Sequence, residues 1–183
     1  ACTASEIDAR QRQWLAGAPP TRWIAPDVFV CHGTPTSDLH YWLETVTDDF
    51  GQHGSPGVRA ATAAEAWQRL GRGEHTERAS LIVCGHTHVP RVVQVQVQSL
   101  PVAGLHSPLR TITIVNPGSV GLPAYDDTHP FKHHVETGSP HARYAIVQKT
   151  AHGWHTELRS VPYDVEPMAR MASRADRSRR TWL

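Results

Sequence analysis

Two short apolar runs, each followed directly by a polar segment that contains histidine, constrain the fold of this chain most strongly. Residues 28–31 read Val-Phe-Val-Cys before His32, and residues 81–84 read Leu-Ile-Val-Cys before a segment with His86 and His88. Short continuous apolar runs rich in β-branched residues are typical of strands that are buried on both faces of a parallel sheet. Both histidine segments are therefore expected at the carboxyl ends of buried strands.

A helix is predicted between these two strands. Thr62 and Glu65 have the spacing of a capping box, apolar residues follow at helical spacing, and Gly71 stands at the expected end. The order strand, helix, strand predicts an α/β fold, and open α/β sheets place their functional sites at the carboxyl ends of the strands.

The remaining sequence predicts several further elements. They are a short helix over 5–15 capped by Ser5, a short helix over 37–46 capped by Ser37, a hairpin of strands 93–97 and 111–115, a polar surface loop over 125–141, a final hairpin of strands 144–148 and 154–161, and a helix capped by Asp164.

The spacing of His86 and His88 predicts a metal site. Side chains at positions i and i+2 of an extended backbone point the same way, so both imidazoles can reach one cation or two adjacent cations. With 13 histidines in 183 residues, such a pair arises roughly once by chance. Its position after a buried strand and Gly85, together with the matching segment at His32, favours metal binding over surface histidines.

Other candidate ligands are less favoured. Cys31 and Cys84 end the two apolar runs and offer thiolates, although a small buried residue at a strand end is the commoner role. Asp38 and His40 have the spacing of a ligand pair, but they follow a loop and not a strand. Roles in the loop or as a helix cap are therefore preferred over metal binding. Four histidines of the 125–141 segment suggest a second metal site, but no strand fixes their spacing: His129, His133, His134 and His141.

Two residues beside the predicted ligands are candidates for substrate binding. Arg91 offers a guanidinium that can pair with two phosphate oxygens, and Thr34 offers a hydroxyl. A structural role in a turn or at a strand start is the alternative for each. Asn116 opens an Asn-Pro-Gly-Ser turn that either supports the site or only ends a strand, and both interpretations remain open.

Composition excludes some partners. The 18 lysines and arginines nearly balance 17 aspartates and glutamates, so nothing in the charge indicates a nucleic-acid partner. No apolar run has the length of a membrane span, and the three cysteines indicate no disulfide framework. A cytoplasmic protein is the resulting expectation.

Four segments together resemble the calcineurin-like metallophosphoesterase superfamily, and its small bacterial and archaeal phosphodiesterases in particular. They are 32–35 (His-Gly-Thr-Pro), 85–88 (Gly-His-Thr-His), 116–121 (Asn-Pro-Gly-Ser-Val-Gly) and 161–164 (Val-Pro-Tyr-Asp). The resemblance implies a four-layer α/β/β/α sandwich and hydrolysis of a phosphodiester or phosphomonoester by a metal-bridging water. It also implies that His32 and His86 bind one metal of a dinuclear pair and that His88 binds the other.

The chain departs from this family at its amino-terminal end. The family's Asp-x-His, Gly-Asp and Gly-Asn-His blocks are not found, and Asn116 is the only asparagine. We therefore expect residues 1–163 to be the carboxyl-terminal part of a metallophosphoesterase domain without its amino-terminal strands, and 164–183 to be a helix or tail of the same domain. No catalytic residue is assigned within this chain.

These expectations extend to cofactors and partners. The complete protein is expected to bind two divalent transition metals, Mn, Fe, Zn or Ni, and this chain alone at most one, weakly. The expected partners are a phosphate-ester substrate and the missing amino-terminal segment or a second chain that carries it. Two alternatives are a non-catalytic protein-binding scaffold of the same fold and an unrelated metal hydrolase such as an amidohydrolase.

Overall fold

A five-stranded sheet forms the centre of the protein in a computed structural model that describes residues 7–98 and 109–176. Its strands lie in the order β1, β2, β5, β7, β6. The central three are mutually parallel, and the two edge strands are antiparallel to their neighbours. These strands are β1 (Thr21–Ala25), β2 (Val28–Cys31), β5 (Leu81–Val83), β6 (Arg91–Gln98) and β7 (Leu109–Asn116).

Three two-stranded sheets and four α-helices complete the described residues. The pairs are β3 (Glu44–Val46) with β4 (Val58–Ala60), β8 (Ala124–Asp127) with β9 (His133–Glu136), and β10 (Ala142–Thr150) with β11 (Gly153–Val161). The helices are α1 (Ala9–Ala16), α2 (Ala63–Leu70), α3 (Glu74–Arg78) and α4 (Glu166–Asp176), with a 3-10 turn at Gln52–Gly54.

The central sheet is covered on both faces. Phe29, Ile82 and Ile114 point to one face, where they pack with residues of α2 such as Leu70 in the main hydrophobic cluster. Val28, Leu81 and Val115 point to the other face and pack against three residues of the β10–β11 sheet: Ala145, Val147 and Trp154. Burial on both faces explains why β2 and β5 are apolar throughout and why the carboxyl-terminal half of β7 is buried. The predicted α/β class is confirmed, while the fourth layer of the sandwich and the boundary at residue 163 stay predictions.

Several predicted elements are confirmed. The predicted helix begins at Ala63 with a full capping box between Thr62 and Glu65, and Gly71 caps its end. Both predicted hairpins form, as β6 with β7 and β10 with β11, and the loop 99–108 lies outside the described residues. The backbone N–H of Glu166 donates to Asp164, which caps the final helix as predicted.

Two predictions of local structure are wrong. Residues 37–46 form a bent loop and then β3, because Ser37 and Thr34 pair through their backbones and turn the chain. A Cβ on Gly33 would lie 2.6 Å from the Ser37 carbonyl oxygen, so glycine permits this turn. The 125–141 segment contains the hairpin β8–β9 in place of a plain surface loop.

The first helix begins later than predicted. Ser5 lies outside the described residues, and the observed cap of α1 is Asp8, whose carboxylate accepts from the backbone N–H of Gln11. In the portion of the chain that the structure describes, no helix is long and apolar enough to cross a membrane.

Asp27 ties the β10–β11 sheet to the central sheet. Its carboxylate bonds to the Lys149 ammonium and to the Ser80 hydroxyl, and Ser80 in turn accepts from the indole N–H of Trp154 at 2.9 Å. Lys149 and then Ser80 lower the pKa of Asp27. The folded protein therefore holds the Asp27 proton less tightly than the unfolded chain does.

We expect replacement of Asp27 by asparagine to cost less stability in acid than at neutral pH. A carboxylate with a lowered pKa stabilises the fold above about pH 4 and loses that contribution as the pH falls through its folded-state pKa. Urea unfolding midpoints of the native protein and Asp27→Asn at pH 7 and pH 3 measure the effect. An equal difference between the two proteins at both pH values would contradict this account.

Candidate metal centre

The three candidate imidazoles lie at one edge of the central sheet. His32 follows β2 directly, and His86 and His88 follow β5 after Cys84 and Gly85. Because β2 and β5 are parallel neighbours, their carboxyl ends meet at the same edge. The three side chains line one open cavity of about 730 Å³. The structure therefore brings the three histidines together at the strand ends, as the sequence predicts.

Two of the imidazoles are in direct contact. Nδ1 of His86 lies 3.0 Å from Nε2 of His32, and the ring centres are 4.8 Å apart. His88 stands at the same cavity with its Nδ1 3.1 Å from the Leu122 carbonyl oxygen, to which that nitrogen donates. Because Nδ1 of neutral His88 carries the proton, the lone pair available to a ligand or metal is on the other ring nitrogen, Nε2.

The loop that carries His86 and His88 has a strained backbone. Both residues have left-handed φ angles, 66° for His86 and 61° for His88. A left-handed conformation costs a residue with a side chain about 1 kcal/mol or more, so neighbouring contacts must hold this loop in place.

Asn116, the last residue of β7, holds this loop. Its side-chain N–H groups donate to the Gly85 carbonyl at 2.8 Å and to the Thr87 hydroxyl at 2.9 Å, and its oxygen accepts from the Gly118 N–H at 2.9 Å. Asn116 and Thr87 are each 1% exposed. Of the two interpretations of the Asn-Pro-Gly-Ser turn, the structure favours the one in which Asn116 supports the site.

The surroundings of two of the imidazoles lower their pKa values and so favour the neutral form. Burial lowers the pKa of His86, and the neighbouring His32 adds to this effect. Burial also lowers the pKa of His88, although the Leu122 carbonyl opposes the shift. A neutral imidazole is the form that binds metals.

The sequence model of the calcineurin-like phosphoesterase superfamily domain matches residues 26–138, which is more than half of the 183 residues. The chain belongs to the calcineurin-like phosphoesterase superfamily. One similar solved structure is a metallophosphoesterase from Sphaerobacter thermophilus, with a TM-score of 0.53 and 20% sequence identity. The match covers 93% of this chain and 59% of that one, and at this identity it supports the fold alone. No curated protein matches the chain.

Proteins of the calcineurin-like phosphoesterase superfamily generally use divalent metals, and the residues of this chain fit that use in part. Nε2 of His32 and Nδ1 of His86 are hydrogen-bonded to each other at 3.0 Å, so one of the two nitrogens carries the shared proton and must give it up before both can bind one cation. Within residues 7–98 and 109–176, however, no three side chains of histidine, cysteine, aspartate or glutamate come together closely enough to hold a metal ion. The described residues thus offer a pair of candidate ligands and not a closed set.

The two candidate substrate-binding residues lie away from the facing imidazoles. The guanidinium of Arg91 donates to the carbonyls of Leu43 and Ala61, and it lies 3.9 Å from the Glu44 carboxylate. Thr34 is 2% exposed, and its hydroxyl donates to the Ser37 carbonyl at 3.3 Å. Both side chains are occupied by backbone contacts, and their contact with substrate stays a prediction.

The two cysteines are buried at the strand ends. Burial raises the pKa of Cys31 to about 12, and burial also raises the pKa of Cys84. A thiol that stays protonated is a poor metal ligand. The structure therefore favours the packing role for both residues.

Histidines of the 125–141 segment have separate surroundings. His133 is fully buried in β9, whereas His134 pairs with Asp126 at 2.7 Å and His141 lies 3.2 Å from the Ser160 hydroxyl. His129 lines a second cavity of about 650 Å³, which shares three residues with the cavity of the imidazoles: Tyr41, His86 and Asp127.

Sequence reasoning missed the aromatic and acidic residues around the imidazoles. Tyr41 and Tyr125 stand edge-on to His86 and His88, with ring centres 5.1 Å and 5.5 Å apart. Tyr41 lies in the segment predicted as a helix, and Tyr125 in the segment predicted as a loop. The four-residue strand His133–Glu136 gave no clear sequence signal, because its residues His-His-Val-Glu show no apolar alternation.

Glu44 is a second residue that the sequence did not identify. It is 4% exposed, and neither carboxylate oxygen makes a hydrogen bond of good geometry. Burial raises its pKa, and the nearby Thr87 hydroxyl and the Arg91 and Arg69 guanidiniums oppose this shift. Glu44 therefore places a buried carboxyl group beside Thr87, in the loop that carries His86 and His88.

Proposed function

We propose that this chain forms the imidazole-bearing part of a metal-dependent phosphoesterase. The observation that carries the proposal is the meeting of His32 and His86 at 3.0 Å across the ends of two parallel strands, with His88 at the same cavity. Membership of the calcineurin-like phosphoesterase superfamily supports phosphate-ester hydrolysis as the chemistry. The proposed substrate is a phosphodiester or a phosphomonoester.

His32, His86 and His88 are the proposed ligands. Divalent transition metals, namely Mn, Fe, Zn or Ni, suit imidazole nitrogen better than Mg or Ca do. Such a metal, when bound, supplies an activated water and positive charge near the phosphoryl oxygens. The chain supplies imidazoles whose pKa values are lowered, a loop at His86 and His88 that Asn116 holds by hydrogen bonds, and an open cavity.

A dinuclear centre also needs carboxylates, since they hold two cations together against their repulsion. Asp126 and Asp127 line the cavity, but Asp126 pairs with His134 and Asp127 accepts from the N–H groups of Thr128 and His129. We infer that further carboxylates come from a preceding segment or a second chain, so that this chain alone holds at most one metal weakly.

The proposal is tested by metal binding. Titration of the protein with Mn²⁺ or Zn²⁺, followed by calorimetry, is expected to show binding that His86→Ala weakens by more than about 100-fold. Loss of a supporting contact alone typically costs 10–100-fold, and a direct ligand should cost more. His155→Ala is the matched control, since His155 is exposed on β11.

Hydrolysis is measured separately, with bis-p-nitrophenyl phosphate and p-nitrophenyl phosphate, on this chain and on a longer protein or a mixture that supplies the missing carboxylates. Turnover that His86→Ala abolishes and His155→Ala retains is the expected result. Equal metal affinity in His86→Ala and the native protein would contradict the proposed site. A folded protein that binds no metal and captures a protein partner would favour the scaffold alternative.

A further inference from the structure

A chain of hydrogen bonds connects two tyrosines at the imidazole cavity to a buried histidine. The Tyr125 hydroxyl lies 2.8 Å from the Tyr41 hydroxyl, and the Tyr41 hydroxyl lies 3.0 Å from Nε2 of His133. Nδ1 of His133 lies 2.7 Å from the Phe131 carbonyl oxygen. His133 is 0% exposed, so no solvent competes for its ring nitrogens. We name Tyr125, Tyr41 and His133 together the tyrosine relay.

The direction of every bond in the tyrosine relay follows from its last acceptor. The Phe131 carbonyl can only accept, so Nδ1 of His133 carries a proton and donates it. Nε2 of a neutral imidazole then accepts, which makes the Tyr41 hydroxyl its donor. The Tyr41 oxygen is left to accept from Tyr125. Both phenol protons are thus used within the relay, and neither is free to protonate a leaving group.

The two phenol rings contact the candidate ligands directly. The Tyr41 ring meets the His86 ring at 74° with centres 5.1 Å apart, and the Tyr125 ring meets the His88 ring at 73° with centres 5.5 Å apart. Edge-to-face contacts at these distances are attractive and depend on orientation. The rings therefore limit the rotation of the two imidazoles.

The relay also joins three separate parts of the chain. Tyr41 belongs to the segment between β2 and β3, whereas Tyr125 and His133 belong to the two strands of the β8–β9 hairpin. The hairpin registers Tyr125 against Val135, which is 2% exposed. Its packing thereby fixes the place of the Tyr125 ring beside His88.

We propose that Tyr41 and Tyr125 are positioning residues whose rings hold the imidazoles of His86 and His88 in the orientation needed for metal binding, with His133 as a hydrogen-bond partner of Tyr41. The proposal rests on the proposed function in one respect, because it takes these imidazoles to be the ligands. The β8–β9 hairpin, on this account, lines the site and contributes the Tyr125 ring that contacts His88.

Paired substitutions separate the ring from the hydroxyl. Tyr41→Phe and Tyr125→Phe keep the ring beside each imidazole, whereas Tyr41→Leu and Tyr125→Leu remove it. We expect the leucine variants to weaken Mn²⁺ or Zn²⁺ binding by about 10-fold or more, which is the usual cost of losing a supporting contact. The phenylalanine variants are expected to retain most of the affinity. Tyr144→Leu is the control, since Tyr144 is a 44% exposed tyrosine on β10.

A metal-free measurement distinguishes this proposal from the proposed function. In ¹⁵N-resolved imidazole spectra of the protein without metal, His133 is expected as the neutral Nδ1–H form. The His86 ring signals are expected to broaden in Tyr41→Leu and to stay sharp in Tyr41→Phe and Tyr144→Leu. If this pattern is found in a protein that binds no metal, the proposed function is overturned, whereas the orientation of the imidazoles by the tyrosine rings is supported.

Two results would overturn the positioning role. One is an unchanged set of His86 and His88 ring signals in folded Tyr41→Leu and Tyr125→Leu proteins. The other is native metal affinity in both leucine variants while His86→Ala has lost binding. Circular dichroism confirms that each variant is folded before the comparison is made.

Discussion

Replacement of Asn116 by alanine is expected to disable metal binding and to destabilise the fold together. Its side chain makes three hydrogen bonds while 1% exposed, and their loss leaves the Gly85 carbonyl, the Thr87 hydroxyl and the Gly118 N–H without this partner. Unsatisfied buried groups of this kind cost about 1–3 kcal/mol each, and we expect a total of about 2–4 kcal/mol. Relaxation of the left-handed loop should also weaken metal binding about 10–100-fold.

Urea unfolding and metal titration of the same Asn116→Ala sample measure the two effects. Thr113→Val is a suitable control, because Thr113 lies on the same strand, is 3% exposed and is paired with Leu81 of β5 and Gln94 of β6. The control is expected to keep the native metal affinity. A destabilised Asn116→Ala protein with native affinity would show that Asn116 serves the fold alone, and native stability would contradict the hydrogen-bond account.

Replacement of Trp42 by alanine is expected to have the largest effect on stability. Trp42 is 2% exposed in the main hydrophobic cluster, and its indole N–H donates to the Ala66 carbonyl of α2 at 2.9 Å. Truncation of a buried tryptophan typically costs about 3–5 kcal/mol, a large part of the 5–15 kcal/mol that stabilises a typical domain. The neighbours Tyr41 and Glu44 should lose their fixed positions as well.

Unfolding in urea, followed by circular dichroism, measures the cost without relying on tryptophan fluorescence. Trp67→Ala is the matched control, since Trp67 on α2 is 55% exposed and its loss is expected to cost less than about 1 kcal/mol. Trp42→Phe keeps most of the apolar volume and removes only the indole N–H that donates to the Ala66 carbonyl, so an intermediate loss is expected. Equal midpoints for Trp42→Ala and Trp67→Ala would contradict the assigned core.

The strands and the capped helix could be predicted because local sequence decides them. β2 and β5 are short apolar runs with both faces buried, and α2 has its capping box within four residues. The convergence of His32 with His86 followed from the parallel order of their strands. In each of these cases the information lies in a few adjacent residues.

The failures arose where distant contacts decide the structure. Leu39, Trp42 and Val46 have helical spacing, yet Leu39 is 82% exposed and the turn at Ser37 and Thr34 prevents a helix. Tertiary contacts override a short periodic pattern in this way.

The acidic and aromatic surroundings of the site were also beyond local patterns. Tyr41 and Tyr125 are hydrogen-bonded although they are 84 positions apart in the sequence. No pattern in the residues around either tyrosine predicts contact with the other. The hairpin β8–β9 has strands of four residues each, too short for a clear alternation. Non-local pairs of this kind need either a structure or covarying sequences.

The left-handed backbone at His86 and His88 bears on any attempt to transplant this site. Because residues 85–88 do not favour that shape by themselves, the same four residues grafted onto another scaffold would relax and point their rings elsewhere. The graft must also include a hydrogen-bond donor that replaces Asn116 at the Gly85 carbonyl and the Thr87 hydroxyl. The smallest unit that keeps the loop of His86 and His88 in this shape is therefore the neighbouring ends of β5 and β7, and β2 must be added to include His32.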